Sequence, residues 1–267
     1  MTRKLLLLGV LAIIGVLLAR LAVQSGTRPD RDKTQASDHA DAPFAVVELF
    51  TSEGCSSCPP ADALLGNLMQ DARDHGKRVY CLAFQVDYWN KLGWPDPYSD
   101  AAFSQRQYDY AKALKSDRVY TPQMIVNGAD EFVGSDKALA RKSIEAALKK
   151  PAKATVQLRW DKKDSDALTL GYETASAPAG AILNVALVER GLAGKVSRGE
   201  NAGQTLRHEN VVRVFRTIRL DESGKGSVAL KPSAGMVRKN ASAVAYIQDA
   251  GDWKVLGADA IDLENGE

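Results

Sequence analysis

Hydrophobic and polar positions change rhythm three times along this chain. Leu5 to Ala19 is uninterruptedly apolar, whereas residues 24–43 (QSGTRPDRDKTQASDHADAP) are polar, of both charge signs and without period. From 44 to 150, short apolar runs alternate with stretches of helical spacing. Beyond Pro151 the apolar positions fall into short alternating runs separated by Gly, Pro, Asp or Ser.

The first rhythm concerns targeting. Arg3 and Lys4 precede the apolar run, which is the shape of a secretory signal. A membrane-spanning helix wants about 20 apolar residues, and Arg20 interrupts this one before Leu21-Ala22-Val23. No Ala-x-Ala site follows; Val23-Gln24-Ser25 is a substitute. Residues 1–23 are therefore expected to be either a cleaved signal peptide or an uncleaved signal anchor. Basic residues hold the amino-terminal end in the cytoplasm, so both readings export everything downstream, to the periplasm or another extracytoplasmic space. In the anchored form, residues 5–23 hold the protein to the inner membrane. Residues 24–43 read as a flexible linker, with His39 a solvated member of it.

The second rhythm predicts an α/β segment. Residues 44–50 (FAVVELF) suit a buried strand, and Ala61, Leu64, Leu65, Leu68 and Met69 mark the buried face of a helix. Residues 79–86 (VYCLAFQV) form a second strand, apolar enough for a sheet covered on both faces. An insert follows near 88–118, polar and aromatic, with Ser99 to Leu114 helical. Met124–Val126 is a third strand, Asn127-Gly128 a turn and Glu131–Val133 a fourth strand. Ser135 caps a closing helix whose Ala140, Ile144, Ala147 and Leu148 share a face.

The third rhythm predicts seven strands, at 154–160, 167–173, 181–189, 211–220, 226–231, 241–248 and 253–259. That number in so short a stretch suggests an antiparallel sandwich of immunoglobulin-like type. Along 211–220 one face is mostly apolar and the other mixed. The expected organisation is an α/β domain over 44–150 and an all-β sandwich domain over 151–267, with the boundary near 149–152.

Composition changes this picture only by exclusion. Lys and Arg number 35 against 33 Asp and Glu, for a net charge of +2, which argues against a large basic surface and a nucleic-acid partner. Three cysteines are too few for a disulfide-dense scaffold, and three separated histidines do not suggest a multi-histidine metal site.

The chemistry converges on Cys55 and Cys58. A Cys-x-x-Cys pair after a buried strand and at the start of a helix places the first sulfur against unpaired helix N–H groups and the positive end of the dipole. Thiol pKa values in such settings fall to roughly 3.5–7.5. Cys55 is then an exposed nucleophile and Cys58, one turn inward, the resolving thiol. Pro59 and Pro60 fit a first helical turn. A structural disulfide gains little from so short a loop, and a metal site needs further ligands that the neighbouring sequence does not supply. Cys81, inside VYCLAF, reads as a buried and inert small hydrophobe.

Thr121-Pro122 stands immediately before the third strand, an allowed place for proline. It resembles the thioredoxin and glutaredoxin pattern, which implies a cis proline against the dithiol and a preceding residue that pairs with substrate backbone. The stretch 127–136 also resembles the glutathione-binding end of glutaredoxins, but one glycine, Gly134, stands where a pair is usual; helix capping by Ser135 and Asp136 is the simpler assignment.

The chain as a whole resembles the exported thioredoxin-like proteins grouped as domain of unknown function 1223. The residues that carry the likeness are ELFTSEGCSSCPPAD (48–62), QVDYWNKLGWPDPYSD (85–100), YTPQMIVNG (120–128) and RGENAGQTLRHENVVR (198–213). The resemblance implies a thioredoxin-like domain followed by a sandwich.

Weaker candidates surround the pair. Asp87, at a carboxyl end of the sheet, is either the proton acceptor for Cys58 or a hydrogen-bonded loop residue. Glu53 and Asp62 read as a pre-helix residue and a first-turn dipole partner. Trp89, Trp94 and Tyr98 either wall a substrate site or pin down the insert. Arg198 to Asn201 and His208 to Asn210 either reach across to the dithiol or organise their own loop. His75 reads as solvated.

The expected function is an exported thiol–disulfide oxidoreductase, with Cys55 attacking, Cys58 resolving, Pro122 and Thr121 shaping the groove and Asp87 beside them. Its substrate would be a protein or small-thiol disulfide, and a separate redox partner would reset it. Neither an organic cofactor nor a metal is called for. Two alternatives stay open: metal binding or delivery through the two thiolates, which favour Cu(I) or Zn(II), and a redox-sensitive partner-binding protein.

Overall fold

The structure, a computed structural model, describes residues 41–264. The signal segment, most of the linker with His39, and residues 265–267 lie outside the described residues. Among the described residues no helix is long and apolar enough to cross a membrane.

The first segment builds around β1 (Ala45–Thr51), every residue of which is buried. β2 (Val79–Gln85) runs parallel to it on one side. β3 (Gln123–Val126) runs antiparallel on the other, and β4 (Asp130–Val133) continues antiparallel to the edge. Alternate side chains leave opposite faces of these strands. Ala45, Val47, Leu49, Cys81 and Ala83 meet α1 (Pro59–Asp74) and α3 (Lys137–Ala147), while Val46, Phe50, Leu82 and Phe84 meet α2 (Ala101–Ala113). Helices on both faces are why β1 and β2 read as continuous apolar runs. The cap of α3 is Asp136, not Ser135: the Asp136 carboxylate accepts from Ala138 N and Leu139 N at 3.0 and 2.9 Å.

All seven strands expected in the second segment form: β5 (Thr155–Lys163), β6 (Leu168–Ala175), β7 (Ile182–Glu189), β10 (Val211–Arg219), β11 (Lys225–Leu230), β12 (Ala241–Gln248) and β13 (Val255–Asp262). A short hairpin of β8 (Leu192–Lys195) and β9 (Thr205–His208) was not foreseen. β11-β6-β5 make a three-stranded sheet, and Val156, Leu168 and Leu170 from it pack with Leu183, Val185, Ala243 and Ile247.

The remaining strands join the first segment in one eight-stranded sheet, ordered β13-β12-β7-β10-β2-β1-β3-β4. The protein is thus a mixed α/β molecule with a large central sheet and three α-helices among the described residues. The seam is narrow. β10 and β2 meet in parallel at Val211 and Ala83, with Ala83 N donating to Asn210 O at 2.9 Å and Asn210 Nδ2 to Cys81 O at 2.9 Å. The change of rhythm near 149–152 therefore divides the sequence but not the sheet.

One bulge explains the mixed pattern of β10. Register against β7 slips between Val212 and Val214, so Arg213 is the extra residue. Val212 and Phe215 consequently pack on the α2 side and Val214 on the other. Arg213 pairs with Glu189 and lies over the Tyr98 ring, 5.1 Å from its centre.

A buried ion pair ties both segments together. Arg106 of α2 grips Glu48 of β1 bidentately, at 2.7 and 2.9 Å. Tyr110 OH donates to the same carboxylate at 2.6 Å, and Arg106 donates to Tyr246 OH of β12 at 2.9 Å. The guanidinium carbon sits 4.9 Å from the ring centres of both Tyr110 and Phe215. With this density of acceptors and rings Arg106 stays charged although it is buried.

Candidate functional site

The site grows from the turn between β1 and α1. Cys55 N donates to Ser52 O, and Gly54 N to Ser52 Oγ at 3.1 Å, which bends the chain back toward the helix. A Cβ on Gly54 would lie 3.0 Å from Trp89 Cβ, so the insert presses directly on this turn. Cys58 is the residue flanking α1, followed by two prolines whose missing N–H groups cost nothing in a first turn. Cys55 and Cys58 are joined in a disulfide with Cα atoms 5.4 Å apart. Cys81 stays apart, and burial pushes its thiol up to about 12.

The expected exposure of Cys55 is not what the structure has. Cys55 and Cys58 are both 0% exposed, while Ser56 and Ser57 between them face solvent. A roof from the loop between β8 and β9 meets this turn. Asn201, itself buried, donates from Nδ2 to Glu53 O at 2.9 Å and to Cys55 O at 3.0 Å. Glu200 Oε2 accepts from Ser56 N and Ser56 Oγ at 3.0 and 2.7 Å. Gly199 takes a positive φ of 77°, and a Cβ there would come 3.5 Å from Trp94 Cβ. Of the two readings of 198–201, the one that reaches across to the dithiol therefore holds.

Thr121-Pro122 is a cis peptide, in keeping with the resemblance. Trp89 Nε1 donates to Thr121 Oγ1 at 2.8 Å, and Gly134 N to Pro122 O at 2.9 Å. A Cβ on Gly134 would meet Leu49 Cδ1 at 2.7 Å, Pro122 Cβ at 3.1 Å and Ala61 Cβ at 3.2 Å. The bare glycine is what lets the proline, β1 and the first turn of α1 close on one another. Gly134→Ala is expected to lower stability by about 1–3 kcal/mol through overpacking, measured as a shift in the urea midpoint with the slope unchanged.

Beneath the disulfide lies a buried polar cluster that sequence reasoning undervalued. Asp62 follows Cys58 by four residues, on the same face of α1. Its Oδ2 accepts from Thr51 Oγ1 at 3.2 Å. Glu53 Oε2 accepts from Trp94 Nε1 at 2.8 Å, and Glu53 Oε1 lies 3.1 Å from His208 Nε2. Glu53 N donates to Asp96 Oδ2 at 2.8 Å. His208 Nδ1 has no hydrogen-bond partner and stands 3.9 Å from Asp62 Oδ2. Tyr98 meets the imidazole edge-on, ring centres 6.1 Å apart.

Burial dominates the electrostatics. Desolvation lifts Asp62 to about 7 against the opposing pull of His208, and lifts Asp96 to about 6. Burial pulls His208 the other way, but the hydrogen bond to Glu53 and the charges of Asp62, Glu53 and Asp96 outweigh it, leaving that imidazole above its ordinary value.

Asp87 does not join this cluster through its hydrogen bonds: its carboxylate accepts from Ser104 Oγ, and its N–H donates to Ser104 at 3.1 Å. Asp62 sits at the place expected for it. Two signals pointed there, a carboxylate four residues after the second cysteine and a lone histidine in the polar loop. Neither reveals burial, which the β8–β9 hairpin supplies. Its Gly194 approaches Glu53 so closely that a Cβ would fall 2.9 Å from Oε1. Among the described residues no set of three or more His, Cys, Asp or Glu side chains is arranged to hold a metal ion. A cleft of about 750 Å³ between α1 and the hairpin reaches Asp62, Leu206, Arg207 and Glu209.

A family model described as protein of unknown function (DUF1223) matches residues 46–248. Among solved structures the chain is similar to a protein from Agrobacterium tumefaciens, at 29% identity over 85% of this chain and 97% of that one, with a TM-score of 0.64. A domain of the outer membrane lipoprotein Omp28 from Porphyromonas gingivalis is similar over 41% of this chain and 94% of its own, at 17% identity and a TM-score of 0.24. No curated protein matches the chain.

Proposed function

The chain belongs to the DUF1223 family, and from that premise we propose that it is an exported thiol–disulfide oxidoreductase working through Cys55 and Cys58. The observation that carries this reading is the Cys55–Cys58 disulfide at the start of α1, with a buried carboxyl one turn on whose pKa is about 7. The strand order β2-β1-β3-β4, with helices on both faces and a cis proline before β3, supports a thioredoxin-like reading of 44–150. Four strands of the central sheet, β13-β12-β7-β10, packed through a shared core on the three-stranded sheet support an immunoglobulin-like sandwich beyond 151. The basic, then apolar, amino terminus supports export, where a disulfide persists.

In this mechanism the reduced protein attacks a substrate disulfide with the Cys55 thiolate, forming a mixed disulfide and releasing one thiolate. Cys58 then attacks the Cys55 sulfur, restoring the internal disulfide and releasing the second. The substrate gains two electrons and the dithiol loses two; the Cys58 proton passes to Asp62. A base with a pKa near 7 suits that transfer at neutral pH. In this reading Pro122 and Thr121 shape the groove that receives the substrate. A reductase or small thiol resets the dithiol. The reading is tested by following reduction of a model protein disulfide and of a small-thiol disulfide by the reduced chain; no turnover of either above background would sink it.

The roof makes a second expectation. Both sulfurs are covered, so exchange requires residues 199–201 to lift. Asn201→Ala removes two hydrogen bonds from the closed form, and should speed reduction of the Cys55–Cys58 disulfide by a small phosphine about tenfold. An unchanged rate would mean that the sulfurs are reached without opening the roof.

A further inference from the structure

His208 is the unexplained part of the buried cluster. It is 1% exposed, its Nε2 is held by Glu53 Oε1, and its Nδ1 is unpartnered and faces Asp62 across 3.9 Å. Buried polar atoms in folded proteins nearly always find a partner. With Glu53 accepting at Nε2, the network assigns that nitrogen its hydrogen and leaves Nδ1 free to take up or give back a second one. Every element packed here adds to the same centre: Thr51 and Glu53 from the end of β1 and its turn, Asp62 from α1, Asp96 and Tyr98 from the insert, His208 from β9.

We propose that His208 is a positioning residue for proton transfer at the dithiol, sharing one proton with Asp62, the carboxyl that lines the cleft beside α1. The inference rests on the oxidoreductase reading and deepens it. In one state Asp62 is a neutral acid facing a neutral imidazole. In the other the proton sits on Nδ1, and the Asp62 carboxylate faces a cation. During resolution the Cys58 proton moves to Asp62, the Cys58–Cys55 bond forms, the Cys55–substrate bond breaks and the substrate leaves as thiolate. The pair starts without this proton, holds the one from Cys58 between the Asp62 carboxyl and His208 Nδ1, and releases it from Asp62 to water or to the departing thiolate at the cleft. Asp62 itself lines the cleft, whereas the imidazole points inward between Glu53 and Asp62, so the proton leaves the pair from the carboxyl. The role also explains why β8–β9, a hairpin outside the main sheet, is packed against the turn that carries the cysteines.

The test uses the reduced full chain and iodoacetamide as probe. In the native protein the alkylation rate of the dithiol should show, besides the thiol titration, an inflection near neutral pH from the Asp62–His208 pair. His208→Gln can still donate to Glu53 but carries no charge. Loss of the cation keeps Asp62 protonated to higher pH, so the inflection should move up by about one pH unit. Exchange at neutral pH should fall about tenfold, and added imidazole should restore part of the rate in His208→Ala. Asp62→Asn should remove the inflection, and His208→Gln should then have no further effect on it. An unshifted inflection in a His208→Gln protein with a native unfolding midpoint, or indifference of His208→Ala to imidazole, would overturn the proposal. Alkylation is read without any substrate disulfide. A native chain with a His208-dependent inflection but no turnover would thus defeat the oxidoreductase reading alone.

Discussion

Cys55→Ser is expected, on the oxidoreductase reading, to lower disulfide exchange to the background rate, the largest functional effect that this reading assigns to a single substitution. Removing the attacking sulfur leaves Cys58 covered, beside a hydroxyl that cannot form a disulfide. Cys58→Ser should behave differently: attack by Cys55 survives but resolution does not, so mixed disulfides with substrate accumulate and are captured after alkylation. The two outcomes together separate catalysis from the alternatives. A metal-delivery protein would lose stoichiometric Cu(I) or Zn(II) binding in both variants and trap nothing, and a partner-binding protein would retain its partner after both cysteines are replaced. Thiol counting supplies the control. Of the three cysteines, two should react in the reduced folded protein and Cys81 only after unfolding, because burial holds its thiol near 12.

Arg106→Ala is expected to lower stability by about 3–5 kcal/mol, the largest structural effect. The substitution strands the Glu48 carboxylate, which is 1% exposed, without the cation that holds it, and opens a hole among Phe84, Tyr110, Phe215 and Tyr246. Urea unfolding followed by fluorescence should show the midpoint falling while the transition stays single, because Arg106 is bonded to β1 and β12 at once. A loss below about 1 kcal/mol would show that the pair is not what joins the two segments. The double substitution Glu48→Gln, Arg106→Met should recover much of the loss, since replacing a buried ion pair by neutral groups of similar volume costs far less than breaking it.

Much of the fold is legible along the chain. The continuous apolar runs at 44–50 and 79–86 mark strands covered on both faces, and alternation beyond 151 marks seven strands at their observed places. Local chemistry placed the turn at Asn127-Gly128 and the start of α1 after Cys58. Where a local rule had two candidates it did not separate them. Ser135 and Asp136 are both good caps, and which one serves depends on backbone angles that neighbouring packing decides. The slip at Val212–Val214 cannot be read from period alone, because the bulge follows the partner strand β7 rather than the sequence of β10.

The site was legible as a motif and not as an environment. The Cys55–Cys58 pair at the start of α1 and the proline ahead of β3 are readable because they depend on short-range order: strand, dithiol, helix and a proline before the next strand. Sequence position alone favours Asp87, which follows a strand at the carboxyl end of the sheet, as a carboxylate near the dithiol, and gives no sign that Asp62 is the buried one. Choosing between them needs the β8–β9 hairpin, whose His208 and Gly194 come from far along the chain to bury Asp62 and Glu53.

By itself, then, the sequence determined the segments: an apolar amino terminus, a linker, an α/β stretch carrying a dithiol and a β-rich stretch. These depend on hydrophobic periodicity and turn chemistry, which act over a few residues. Only the tertiary structure decided that both stretches share one sheet, that the disulfide is roofed by 199–201, and that a carboxylate and an imidazole are buried together beside it. Burial is a property of what packs against a residue. The partners here, Asn201 and His208, lie well over a hundred residues beyond the turn they cover, where no local pattern connects them.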